Sequence, residues 1–184
     1  MSLLALRLLG SPRVNLDKTT VKISRRKVMA LLVYLAVSKQ RHSRDELSEM
    51  LFGKRDRNRA RASLRQTLSL LRSSIGSEHL GTDRLGVWIT GTDELSSDVS
   101  EFQSLQKEWK ASSARDSVLS GKKFLTAAAE LYQGDFLSGF YLQDSSAFED
   151  WQLMMQESLR RQQMTALHRL AEIHEATGQF EQAI

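Results

Sequence analysis

The first 23 residues alternate between apolar and polar positions. Leu4, Leu6 and Leu8 share one face of a period-two pattern, Gly10-Ser11-Pro12 turns the chain, and Val14 and Leu16 resume the alternation. Asp17-Lys18 turns it again before Val21 and Ile23. This pattern predicts three short antiparallel strands. Helical spacing then takes over. Val28, Leu31, Leu32 and Leu35 form the i, i+3, i+4, i+7 stripe of a first helix, from about Arg25 to Ser38. Ser43 and Glu46 form a capping box that opens a short second helix, with Leu47, Met50 and Leu51 inward and Gly53 at its end. A third helix is predicted from about Asn58 to Ile75, burying Ala60, Leu64, Leu68, Leu71 and Ile75 and capped by Gly76. Thr82-Asp83-Arg84 and the alternating Val87-Trp88-Ile89-Thr90 read as a small β-hairpin.

The polar stretch Thr92 to Ser97 is the best boundary, dividing about residues 1–95 from 97–184. Beyond it the period is helical. Phe102, Leu105 and Trp109 line one helix, and Phe124, Ala128 and Leu131 a second. Phe148, Trp151, Met155 and Leu159 line a third; Met164, Leu167, Leu170, Ala171 and His174 line a fourth. Tyr132 to Phe140 reads as a connection plugging the helical core. Thr177-Gly178-Gln179 makes a tight turn, and Phe180 to Ile184 begins another helix. Half a helical hairpin cannot bury its own face, so the expectation is a longer chain truncated here.

Charge changes the picture. Residues 1–96 carry 18 Lys and Arg against 9 Asp and Glu, a net of +9, whereas 97–184 carry 8 against 13, a net of −5. A basic front with an acidic rear implies different partners for each, and the front suits a polyanion, nucleic acid first. The apolar share of 41% and charged share of 26% are those of an ordinary globular protein. No apolar run approaches membrane-spanning length. The absence of cysteine excludes disulfide frameworks, zinc ribbons and cysteine nucleophiles, and it suits a reducing cytoplasm.

The basic charge is concentrated. Lys54, Arg55, Arg57, Arg59, Arg61 and Arg65 fall within twelve residues that hold one acid, Asp56. With Leu64, Leu68 and Leu71 inward, the third helix presents Arg61, Arg65, Ser69 and Arg72 in one row and Ser63 and Gln66 in the next. Arginine pairs bidentately with guanine edges and glutamine with adenine, while serine suits phosphates. Taken alone, such a run is more often a solvated helix face. Two preceding helices and a following hairpin are, however, what a winged helix-turn-helix requires.

Ser43 to Gly53 (SRDELSEMLFG) followed by Ala60 to Gly76 (ARASLRQTLSLLRSSIG) resembles the OmpR-type winged helix of bacterial transcriptional activators. The rear agrees independently. Asp98 with Phe102 and Leu105, LYQGDFLSGF (Leu131 to Phe140), Trp151 and GQFEQA (Gly178 to Ala183) resemble the all-helical, tetratricopeptide-like bacterial transcriptional activator domain. The pair is similar to the Streptomyces antibiotic regulatory protein family. The resemblance implies an α+β front followed by an all-α rear. It implies a non-enzymatic, cofactor-free regulator that binds promoter repeats in duplex DNA as a homodimer, with RNA polymerase a further partner. Base or phosphate contacts would come from Arg57, Arg59, Arg61, Ser63, Arg65, Gln66, Ser69 and Arg72, with Arg65 and Gln66 reading bases and Arg57 and Arg59 holding phosphates. The wing matches Thr82 to Thr90, with Arg84 at its tip. Leu70 stands where a second basic residue is common.

Catalytic and metal motifs are lacking. Gly121-Lys122 is followed by Lys123, with Asp116 at the first glycine position of a phosphate loop. No G-x-S-x-G elbow appears, and His42, His79, His168 and His174 lack metal-binding spacing. Adjacent Glu149 and Asp150 point apart on a helix. Two other readings stay open: the front end of a larger signalling ATPase or cyclase, and a helical-repeat adaptor whose basic front binds nucleic acid without selectivity.

Overall fold

The computed structural model describes residues 2–91, 95–113 and 121–178. The strands β1 (Leu4–Arg7), β2 (Arg13–Leu16) and β3 (Thr19–Thr20) open the chain, followed by the helices α1 (Arg26–Ser38), α2 (Arg44–Phe52) and α3 (Arg57–Ile75). The hairpin β4 (Leu80–Thr82) and β5 (Val87–Ile89) comes next, then β6 (Leu95–Ser97) and the helices α4 (Asp98–Ser113), α5 (Lys122–Leu131) and α6 (Ser146–Ala176). Mixed strands and helices are thus followed by helices alone.

The alternation at the start does what period two requires. Leu4, Leu6 and Leu8 are buried, and Leu6 faces Val14 in an antiparallel pair. The third strand is shorter than expected. Val21 still donates its N–H to the Val14 carbonyl at 2.8 Å, but the chain then leaves the sheet, and Val21 and Ile23 pack against the core as half-buried side chains. The sheet also has a fourth member, giving the order β3-β2-β1-β6 with β6 parallel to β1. Leu95-Ser96-Ser97 holds a single apolar residue, so no alternation announces it. Its place comes from the open edge of β1 and from Asp98.

Asp98 is 3% exposed and begins α4. Its carboxylate accepts the backbone N–H groups of Leu8 (2.8 and 2.9 Å), Leu9 (3.0 Å) and Val99 (2.8 Å). Burial pushes this carboxyl above its ordinary range, while those donors pull it back. The contact ties the end of the first strand to the start of the rear helices. Beyond it one apolar core runs on, from Leu6, Leu31 and Leu64 in the front to Phe102, Phe136 and Phe148 in the rear.

The connection at 132–145 plugs the junction between the sheet side and the rear helices. Phe136, Leu137 and Phe140 are buried, and Leu9 forms an isolated bridge with Phe136. Trp151 packs edge-on against Phe136 (5.7 Å) and Tyr34 (5.0 Å). Tyr132 donates its hydroxyl to Asp135 at 3.2 Å, and burial followed by the Asp135 charge pushes the phenol up to about 12.

In the rear, the expected third and fourth helices are one continuous helix of 31 residues. No glycine or proline interrupts 146–176, so nothing breaks the backbone ladder. The buried stripe also shifts along its second half: Gln163, Ala166, Ile173 and His174 point inward, leaving Met164 and Leu167 exposed. On α5, Leu125 and Ala128 are buried while Phe124 is half-exposed. The start of the boundary stretch at Thr92 and the helix expected over 180–184 lie outside the described residues. Among the described residues, no helix is long and apolar enough to cross a membrane, and no group of three or more His, Asp or Glu side chains gathers as a metal site.

Candidate nucleic-acid interface

The interface is built on α2 and α3. Ser43 caps α2 by accepting the Glu46 N–H at 3.1 Å. Only half of the capping box forms, because the Glu46 carboxylate turns to His42 Nδ1 (2.6 Å) and the Tyr34 hydroxyl (3.3 Å). The third helix starts one residue earlier than its periodicity predicts. Asp56 is its cap and accepts the Arg59 N–H at 3.1 Å. At the other end Gly76 donates its N–H to Arg72 O at 3.0 Å, as the expected C-cap does. Ala60, Leu64, Thr67, Leu68, Leu71 and Ile75 face the core, which fixes the outward crest as Arg59, Ala62, Gln66, Ser69 and Ser73.

The hairpin stands beside this helix. It begins at Leu80 rather than Thr82, since Leu80 pairs with Ile89 and both are buried. His42 adds a bridge to it: its N–H donates to Val87 O and its carbonyl accepts from Val87 N–H, each at 2.9 Å. Gly81 lies under the Trp88 indole, where a methyl group would sit 2.3 Å from the ring. Asp83 orders the turn by accepting the N–H groups of Leu85 (2.8 Å) and Gly86 (2.9 Å), while Arg41 pairs with its carboxylate and Arg44 with its carbonyl. The tip therefore presents Arg84, with Leu85 75% exposed beside it.

Between hairpin tip, α2 and α3 lies a groove of about 700 Å³ lined by Arg44, Asp45, Asn58, Arg61, Arg65 and Arg84 over a floor of Leu64 and Leu68. The structure thus brings together Arg61, Arg65 and Arg84 of the residues singled out from the sequence. The others lie elsewhere on the helix. Ser63 and Gln66 line a second groove on the opposite flank of α3. Ser69 is on the crest, and Arg59 pairs with its own helix cap, Asp56, at 3.2 Å. Arg72 reaches across to the Thr82 hydroxyl at 3.1 Å and ties α3 to the hairpin. Leu70, half-buried, packs on the core and lines the second groove rather than the first.

Arg44, Asp45 and Asn58 of the first groove escape the sequence pattern. Arg44 and Asp45 sit in the exposed first turn of α2, and the Ser43 cap was the signal that placed them there. Asp45 grips Arg61 through two parallel hydrogen bonds of 2.8 Å and accepts one from Arg57 at 2.9 Å. Arg61 and then Arg57 hold its carboxyl below the usual range. Arg65 and Arg84 make no side-chain hydrogen bond or ion pair among the described residues. A phosphate would have to displace Asp45 from two arginines but could meet the other two directly. A duplex backbone seated in this groove would be held severalfold more tightly by Asp45→Asn at low salt, whatever its sequence, as read by fluorescence anisotropy.

The fold of this chain is shared by another solved structure. Mycobacterium tuberculosis EmbR, in complex with a low-affinity phosphopeptide, superposes with a TM-score of 0.79 at 22% sequence identity. The match covers 97% of this chain and 47% of the EmbR chain, so the chain spans about half of EmbR's length and shares its fold there. No family model and no curated protein matches the sequence.

Proposed function

We propose that this chain is a sequence-specific, duplex-DNA-binding transcriptional regulator of the Streptomyces antibiotic regulatory protein type, with no enzymatic activity. Residues 1–95 act as a winged helix-turn-helix, with α3 as recognition helix and the β4–β5 hairpin as wing. Residues 97–184 act as the tetratricopeptide-like activator module. The observation that carries this reading is the convergence of Arg44, Arg61, Arg65 and Arg84 on one groove beside an exposed, cap-anchored helix. Arg65 reads a base edge from the flank of α3, Arg61 and Arg57 take phosphates once Asp45 yields them, and Arg84 enters the minor groove with the tip of the wing. The shared fold with EmbR supports the class. The rear, with its net charge of −5, contacts protein rather than DNA: a second protomer on a repeated site, or RNA polymerase. Leu153, Met154 and Met164, exposed along α6, suit that role.

The test uses the whole chain, because Asp98 and Phe102 complete the core beneath the front sheet. Each neutralised phosphate contributes about −0.9 to the slope of log K against log salt. Titration of a duplex at several salt concentrations is expected to give a slope of several units. A slope near zero, or no binding at low salt, would overturn the proposal.

A further inference from the structure

The helix α3 is a ridge with a basic groove on each side. One is the groove toward the hairpin. The other, about 690 Å³, runs between the start of α1, the α2–α3 connection and the segment 142–144. Its basic side chains are Arg25, Arg26, Lys27 and Arg55, and its one acid is Asp144. Lys27 is engaged internally, donating to Leu51 O and to Ser145 Oγ (2.7 Å), and Arg26 donates to Tyr141 O at 2.9 Å. Burial, then the neighbouring Arg55 charge, lowers the Lys27 pKa. Arg25 is exposed and makes no side-chain bond among the described residues. Arg55 is also exposed, bridged to the Ser63 hydroxyl at 2.8 Å and stacked 5.5 Å from the Phe52 ring centroid.

A major groove about 12 Å wide holds a helix of 10–12 Å with a phosphate strand on either side. The crest between the two basic grooves alternates the small Ala62, Ser69 and Ser73 with the longer Arg59 and Gln66, so a helix seated this way brings both flanks close to the groove walls. Each flank then has a sugar-phosphate strand beside it.

We infer that the Arg25–Arg55 groove seats the second phosphate strand of a duplex whose major groove holds α3. The inference rests on the DNA-binding reading and adds contacts to it. Arg25 and Arg55 are positioning residues: they meet phosphates and set how α3 lies in the groove, without reading sequence. A protein or small anion bound there instead would leave duplex binding independent of both side chains.

The experiment compares wild type, Arg25→Gln, Arg55→Gln and the double variant, as whole chains, on a preferred and a scrambled duplex across a salt series. Both side chains are exposed, so unchanged melting temperatures are expected and exclude misfolding as the cause. Each substitution is expected to lower affinity for both duplexes by the same factor and to reduce the salt slope by about 0.9. An unaltered slope in the double variant, with wild type binding strongly, would overturn this inference alone. Absence of salt-dependent binding by wild type would overturn the DNA reading and this inference with it.

Discussion

Replacing Asp98 with alanine is expected to destabilise the protein more than any change at the candidate nucleic-acid interface. The variant strands the N–H groups of Leu8, Leu9 and Val99, which share this carboxylate, itself 3% exposed. A buried donor left without a partner costs about 1–3 kcal/mol, and three of them together reach roughly 3 kcal/mol or more. That is a large part of a typical folding free energy of about 5–15 kcal/mol. For a chain of this size each kcal/mol lowers the melting temperature by about 2–4 °C, so a fall on the order of 10 °C is expected in calorimetry. Asp98→Asn should fall less, because its carbonyl still accepts while its amide meets the donors head-on. A melting temperature unchanged in the alanine variant would show that the β1–α4 junction does not depend on this carboxylate.

The second large effect is at Arg65. It lines the groove with Arg61 and Arg84 and has no partner among the described residues, so its fork is available to a base edge. A good bidentate base contact discriminates by about 1–3 kcal/mol, which is roughly five- to 150-fold in affinity. Arg65→Ala is expected to lose affinity on a preferred duplex by that factor and to lose little beyond one phosphate's worth on a scrambled one. Arg59→Ala, which removes a guanidinium paired to the helix cap, should weaken both duplexes alike. Equal losses for Arg65→Ala on the two duplexes would mean that it holds backbone.

The features legible in the sequence are those written in local periodicity and caps. The Leu4-Leu6-Leu8 alternation, the stripe on α1, the Ser43 cap and the Leu64-Leu68-Leu71 face each follow from a few neighbouring residues, and they determine which side of α3 is exposed. What was illegible depends on distant partners. The polar β6 has a place only because β1 offers an edge, and Asp98 acts through residues about 90 positions away. The single helix α6 reads as two because its buried stripe shifts partway along, a drift that mimics a break when only apolar residues are followed. On the candidate interface, the row of Arg61 and Arg65 was readable from spacing. The grip of Asp45 on Arg57 and Arg61 was not, since it joins two helices whose crossing no local pattern specifies. Spacing also sets Gln66 one row from Arg65, since adjacent residues lie about 100° apart around the helix, but only the packed neighbours decide which groove each one enters.

The measurement that bears most directly on the central claim is a selection of whole-chain binders from random duplexes, followed by titration of the enriched and a scrambled duplex at the same physiological salt. A sequence-reading α3 predicts an enriched motif bound about a thousandfold or more tighter than the scrambled duplex. Recovery of no motif, with equal affinity for both duplexes, would contradict it.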